Sequence, residues 1–490
     1  MEKETLLRQL LTHPQVKSLA DVCCKESAKR IFVGGLCASS APLYFSSLAL
    51  GKKKQPPFLF VLNDMDEAGY FYHDMVQMLG EESVLFFPSS YRRAIKYNQK
   101  DAANAILRTE VLSRLSSYAS NDAQPLYIVT YPEALAEKVV SKNELSDNMV
   151  RIAVGAVVDV TELEKRLFEL GFRRTDYVYE PGQFAIRGSI VDIFSYSSEN
   201  PFRIDFFGDE VDSIRTFDVQ SQLSQGKVGS ADIVPEINRK ETDYVPFTDF
   251  VPENLLLVVR DLAFMCDRVA MIYEEGFSVQ ALAEEKANHD MMRQKGEEVE
   301  STFSDLYDGS MNSALKIREH TIVSSEEFNR GITKLRRIEL GNSLADTEGY
   351  VVRFDTSQQP LFHKNFDLLS DELRRLIGEG YRINILADSD KQITRLKDIF
   401  AEINVSYKEL GSEGSCEIRF EAVNRAIHSG FIDHTTRQCF FTDHQIFDRF
   451  HKYNLKSEKA RRGKVALTLK EISQFEIGDY VVHIDHGVGR

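Results

Sequence analysis

Three short apolar runs constrain this chain most: Arg30–Gly34 (RIFVG), 57–62 (PFLFVL) and Val84–Phe87 (VLFF), each bounded by polar, glycine or proline residues. Runs so short and so continuously apolar suit strands buried on both faces. Between the last two, Met65, Ala68, Tyr72, Met75, Val76 and Leu79 recur at helical spacing, which predicts a helix over 64–79. Strands alternating with helices in this order predict a parallel α/β sheet. A fourth run, 126–130 (LYIVT), adds a strand, and a helix is predicted from Pro132. With 490 residues the chain exceeds one hydrophobic core, and about three or four units are expected.

The character changes from about 140 to 200. The stretch 161–170 (TELEKRLFEL) carries Thr161 with Glu164 three residues on, a capping box that predicts a helix starting at Thr161. Segments 177–179, 183–187 and 189–194, separated by Pro181-Gly182 and Gly188, read as β-hairpins. Another pair, 202–207 and 211–217, turns at Gly208-Asp209. Residues 278–300 are charged and helix-prone. A further α/β unit follows over 361–450: a helix over 365–378 with Phe366, Leu369, Leu373, Leu376 and Ile377 on one face, a strand over 381–387, a helix over 391–403 and a strand over 439–442. Lys456, Lys459, Arg461, Arg462 and Lys464 mark a basic linker. The last ten residues are β-rich with no closing element, so the polypeptide is expected to continue beyond Arg490.

Acidic residues outnumber basic ones 75 to 60, a formal charge of −15. Broad grip on a nucleic-acid backbone needs a positive face, because affinity there comes largely from counterion release. Protein partners are therefore the first expectation. Cys23, Cys24, Cys37, Cys266, Cys416 and Cys439 form no CxxC pair and no zinc-spaced cluster with histidine, so no metal site is expected. The amino terminus lacks a signal-peptide stretch, and no segment reaches the ~20 apolar residues of a bilayer span, so a cytoplasmic protein without membrane contact is expected.

An α/β sheet invites a test for a phosphate loop, which needs glycine-rich amides, a Lys for the terminal phosphates and a Ser/Thr for magnesium. The turn after the first run reads Gly34-Gly35-Leu36-Cys37-Ala38-Ser39-Ser40-Ala41-Pro42: the glycines are present and the Gly-Lys-Ser/Thr end is not. Asp66-Glu67-Ala68-Gly69 imitates a helicase acidic box but lies within the predicted helix 64–79, where acids at a helix N-terminus are favoured by the dipole. Lys52-Lys53-Lys54 sits in a polar loop. No G-x-S-x-G elbow, HExxH helix or EF-hand loop occurs, so no catalytic residue and no cofactor-binding residue is assigned.

One stretch is more specific. Residues 171–218 contain Gly182-x-Phe184-x-x-Arg187-Gly188, then Val191-Asp192-Ile193-Phe194, then 203–212 (RIDFFGDEVD). This ordered run resembles the module shared by UvrB-type excision-repair helicases and the bacterial transcription-repair coupling factors (the Mfd family). Two later stretches, 441–447 (FTDHQIF) and 475–490 (FEIGDYVVHIDHGVGR), resemble the coupling factors alone. The resemblance implies a multi-domain α/β fold: a degenerate RecA/helicase-like parallel sheet with an inserted β-rich α+β module, then a second small α/β domain. The implied divisions are 1–118 (helicase-like, without phosphate loop), 119–200 (UvrA-binding module), 201–345 (remainder of the UvrB-homology region), 361–455 (small α/β domain), 456–473 (basic linker) and 474–490 (start of an RNA-polymerase-interacting domain). It further implies a non-catalytic region that recruits UvrA to stalled RNA polymerase. The polymerase would be met through the domain beginning near Phe475. DNA would be met mainly, and ATP and Mg only, by a motor beyond Arg490.

Within the module, Arg173 and Arg187 are the expected UvrA contacts, with Phe184 as a third candidate. Arginine offers a planar, permanently charged fork and is enriched at interface hot spots. Strand alternation puts Gln183, Ala185 and Arg187 on one face and Phe184 and Ile186 on the other, leaving Arg187 able to reach solvent. The competing reading pairs each arginine with Asp176, Glu180 or Asp192, and makes Phe184 core. Ala185 stands where UvrB carries a second arginine, which implies weaker or altered binding. Asp205, Asp209, Glu210 and Asp212 are expected on a solvated hairpin. Arg187→Ala is expected to weaken UvrA capture with a nearly unchanged unfolding midpoint. Two other classes remain open: a UvrB-like repair helicase subunit, and a DNA-binding module using the basic cluster at 456–464.

Overall fold

The computed structural model describes residues 2–91, 102–118, 125–235, 243–277, 279–294, 307–341, 349–409, 417–453, 481–483 and 487–489. The basic linker and most of the 474–490 segment lie outside the described residues, apart from a short antiparallel ladder between Val481–His483 and Gly487–Gly489.

The expected parallel sheet is present and larger than the sequence pattern suggested. Seven strands lie in the order Tyr350–Arg353, Arg30–Gly34, Arg336–Leu340, Leu256–Val259, Phe58–Val61, Tyr127–Thr130 and Val84–Phe87, every neighbouring pair parallel. Parallel neighbours need long crossovers, so their strands are free to come from distant sequence. Helix Met65–Leu79 fills one crossover, capped by Asp64, whose side chain accepts from the Glu67 amide. The long crossover from Thr130 to Leu256 carries the β-rich module. Its neck is a two-residue antiparallel pairing of Val139–Val140 with Tyr244–Val245.

This topology redraws the expected divisions. The lines at 118/119 and 345 pass between strands of one sheet, because Tyr127–Thr130, Leu256–Val259, Arg336–Leu340 and Tyr350–Arg353 all belong to it. The line at 200/201 cuts a second, six-stranded sheet between adjacent strands Ile190–Ile193 and Phe202–Phe207. That sheet runs Ser224–Val228, Glu210–Phe217, Phe202–Phe207, Ile190–Ile193, Gln183–Arg187, Arg173–Arg174. Val150–Ala153 and Ser230–Ile233 pair beside it, and helix Val160–Glu169 packs Leu163 and Leu167 into its core. The helix cap is Asp159 rather than Thr161: its carboxylate accepts from the Thr161 and Glu162 amides, the stronger acceptor at a positive helix end.

The small α/β unit has five strands, Thr356–Gln358, Phe431–Asp433, Gln438–Thr442, Arg382–Leu386 and Glu421–Val423, the last three parallel. It therefore begins a few residues before the expected 361. Helices Phe366–Gly378 and Asp390–Glu409 flank it. Leu386, Val423, Ile427, Phe431, Phe440 and Tyr453 join the core of the seven-stranded unit, so the two units share apolar packing.

The turn after Arg30–Gly34 is filled by protein. Gly35 has φ +78°, and a Cβ there would lie 1.9 Å from the Phe354 carbonyl oxygen. The Cys37 amide donates to Ser40 Oγ at 2.9 Å and the Ser39 amide to the Ser429 carbonyl at 3.1 Å. Asp66 accepts from the Tyr453 hydroxyl at 2.9 Å, and Glu67 pairs with Arg260 at 2.8 Å, so the acidic pair has structural partners.

Candidate protein-docking site on the β-rich module

Strand Gln183–Arg187 pairs with Ile190–Ile193 across the Gly188 turn, with Ala185 opposite Asp192 and Arg187 opposite Ile190. On its other side it pairs in parallel with Arg173–Arg174, with Arg173 opposite Gln183. Directly paired residues share a face. Arg173 and Arg187 therefore lie on one face, about 13 Å apart along the strand direction at ~3.3 Å per residue. Arg174 lies on the opposite face, where its guanidinium pairs with Glu164 of helix Val160–Glu169.

Phe184 points into the core. It is fully buried, packs its edge against Phe168 at 5.2 Å and belongs to the module's main apolar cluster. Its place in a contact surface is not supported; the competing reading of a core residue holds.

The Arg187 face is not simply open to solvent. Val178, Ala185, Phe194 and Phe217 form a second small core there. Residues 177–179 do not form the expected strand but fold over this face, pinned by Gln183, whose Oε1 accepts from the Tyr179 amide at 2.9 Å and the Glu180 amide at 3.1 Å. At the centre lies Asp192, with 0% of its surface exposed. It accepts two hydrogen bonds from Arg203, at 2.8 and 2.9 Å, and one from Arg187. Arg203 also lies 4.3 Å over the Phe217 ring, and its bonds to Asp192 hold its proton more firmly than usual.

Arg187 is thus tied within the module and keeps part of its surface accessible. Beyond Asp192 it donates to the Asp176 carbonyl at 3.0 Å and lies 4.9 Å over the Tyr177 ring, yet 35% of its side chain stays exposed. Those ties revise the expectation of an unchanged unfolding midpoint for Arg187→Ala. Arg173 is exposed at the sheet edge, and its guanidinium has no ion-pair partner among the described residues. On the face of the two arginines, Tyr177 and Tyr179 are each 52% exposed; the equally exposed Phe168 lies on the opposite face, against Phe184. Arginine ringed by accessible aromatics is the composition of an interface hot spot. The sequence pattern reads the tyrosines as part of a strand, and nothing in it marked them as a surface over this face.

Asp205 is not simply solvated, since it pairs with Arg215 and accepts from Ser213 Oγ at 3.2 Å; Asp209, Glu210 and Asp212 are exposed as expected. No cluster of metal-ligating side chains occurs among the described residues. No helix among them is long and apolar enough to cross a membrane.

The UvrB interaction domain matches residues 150–238. This span lies in the chain between the neck strands Val139–Val140 and Tyr244–Val245, and overlaps the expected 119–200 over 150–200. A transcription-repair-coupling factor of Bacillus subtilis (strain 168) is 24% identical over 95% of this chain and 42% of its own length. Relatives of the same name from Staphylococcus aureus (strain bovine RF122 / ET3-1) and Staphylococcus haemolyticus (strain JCSC1435) are each 23% identical, over 88% and 94% of this chain and 39% and 42% of their own lengths. The chain spans about two-fifths of the length of these curated relatives. With a match to the UvrB interaction domain seated in the parallel α/β unit, the chain is similar along nearly all of its length to about two-fifths of transcription-repair-coupling factors.

Proposed function

We propose that this chain is a docking region of a transcription-coupled repair factor, and that it recruits UvrA through the Arg173–Arg187 face of its β-rich module. The observation that carries the reading is the exposed Arg173 sharing a face with the half-buried Arg187 and the accessible Tyr177 and Tyr179. A separation of about 13 Å fits easily within one side of a standard protein interface, roughly 800 Å². RNA polymerase is the proposed partner of the domain that begins near Phe475. Contact with DNA is assigned mainly to a motor outside this chain, and the setting is the bacterial cytoplasm.

The chain is further proposed to carry no nucleotide and no catalysis of its own. The reason is local: the Gly34–Ser39 turn lacks the phosphate-binding Lys, and its Cys37 and Ser39 amides already donate to Ser40 and Ser429. This weighs against a UvrB-like helicase subunit. Capture of purified UvrA by the 490-residue chain, alongside an ATP hydrolysis assay, tests both parts. Stable capture with background hydrolysis is expected; absent capture or sustained turnover would overturn the corresponding half.

A further inference from the structure

The small α/β unit rests on helix Met65–Leu79 through a patch crowded with imidazoles. His428 stacks on Tyr70 with ring centroids 3.6 Å apart, His73 meets His451 at 5.2 Å, and His451 stacks on His444 at 4.5 Å. Hydrogen bonds join the same surfaces: the His428 amide donates to Asp74 at 2.7 Å, and the Ser429 amide to Ser39 Oγ at 2.9 Å. His73 Nε2, His428 Nδ1 and His451 Nδ1 are buried without a hydrogen-bond partner among the described residues. A proton added there brings both a charge and a donor into a site with no acceptor for it.

We propose that the histidines between helix Met65–Leu79 and the 424–453 segment form an acid-sensitive latch, whose protonation releases the small α/β unit from the seven-stranded unit. Burial first, with neighbouring imidazoles adding to it, holds His73, His428 and His444 each at about 4. The surrounding charges do not rescue the protonated form. Asp388 favours the charged form of His73, but Arg449 opposes it at His444. Asp443 is fully buried, pairs with Arg449 and has its own pKa raised by burial. Asp66 is engaged by the Tyr453 hydroxyl, and Lys452 adds a positive charge near Tyr70. Complete burial pushes Asp74 up to about 7, so in acid it is neutral and gives no counter-charge.

The sign follows from linkage. A histidine at 6.5 when released and about 4 when docked favours docking fully above about 6.5, and that advantage is lost as pH falls through 4. Asp74 runs the other way, since its docked form binds a proton more tightly than its ordinary value of 3.8 allows. Three protons taken up against one given back leave a net uptake of about two on release. Docking then weakens on the order of tenfold to a hundredfold per pH unit between about pH 6 and 4.5. Release also frees Ser39, and with it the turn that follows the first strand.

Hydrogen exchange of the intact chain from pH 7.5 to 4.5, corrected for intrinsic rates, tests this. Protection in helix Met65–Leu79 and in 424–453 should fall together, by at least tenfold per pH unit below about 6. The six-stranded sheet serves as the internal reference and should hold its protection. Constant protection at the two surfaces, or loss in step with the reference sheet, would overturn the latch. His428→Gln and His444→Gln should each reduce the pH slope by about one proton, and an unchanged slope in both also overturns it. If either variant fails to fold, the profile of the unaltered chain decides alone.

Discussion

Replacing Asp192 by Asn keeps the shape of the side chain and removes the charge that two arginines share. Asp192 is wholly buried, and the Arg203 side chain is only 15% exposed, so Arg203 cannot recover its charge partner from water without leaving the sheet. Breaking a buried pair by removing one partner costs about 3–5 kcal/mol. Arg187, a third exposed, can turn outward and adds little to that cost. Arg187→Ala is the contrast. It leaves Asp192 bonded twice to Arg203 and loses a charged hydrogen bond and a ring contact, about 1–2 kcal/mol after solvent screening. Since the chain has no Trp and several units, global fluorescence unfolding is a poor readout. Hydrogen exchange of amides in Gln183–Arg187 and Phe202–Phe207 reports the module directly. At about 1.4 kcal/mol per tenfold, Asp192→Asn should lower protection by roughly two to three and a half orders of magnitude, Arg187→Ala by about one. Losses of equal size, or less than tenfold for Asp192→Asn, would refute Asp192 as the organising charge of this face.

Arg173→Ala should weaken UvrA capture by about tenfold, in the range of a modest hot spot, with exchange of the module unchanged; equal affinity in a surface-binding assay removes Arg173 from the interface. Phe184→Ala should cost about 3–5 kcal/mol and strip protection from the six-stranded sheet, so its effect on any partner is secondary; normal protection would contradict its place in the core. Gly35→Ala puts a Cβ against the Phe354 carbonyl at a φ of +78°, and a loss of about 2 kcal/mol or more is expected by calorimetry. An unchanged transition would mean the turn is not packed as described.

Much of the fold was legible because local pattern and tertiary role agree in it. Strands Phe58–Val61, Val84–Phe87 and Tyr127–Thr130 are buried on both faces, and such strands are apolar throughout whatever their neighbours; Arg30–Gly34 buries one face fully and the other in part. Helices Met65–Leu79 and Phe366–Gly378 carry their apolar stripe and their cap, Asp64 or Asn365, within a few residues. Unit boundaries were not legible. Leu256–Val259 sits beside Phe58–Val61 and Arg336–Leu340 beside Arg30–Gly34, each pair more than a hundred residues apart, and nothing in a local window reports a crossover that long.

The candidate site divides along the same line. The sequence alone determined the residue types, the hairpin around Gly188, the alternation along Gln183–Arg187, and the missing Lys of the first turn. Only the tertiary structure decided that Asp192, and neither Asp176 nor Glu180, takes Arg187 as its ion-pair partner, because three strands bring Ala185, Asp192 and Arg203 into one cross-strand row. It also decided that 177–179 folds over the sheet instead of joining it, and that Phe184 is core. Side-chain partners are set by register and by what covers a face, and both depend on segments remote in sequence.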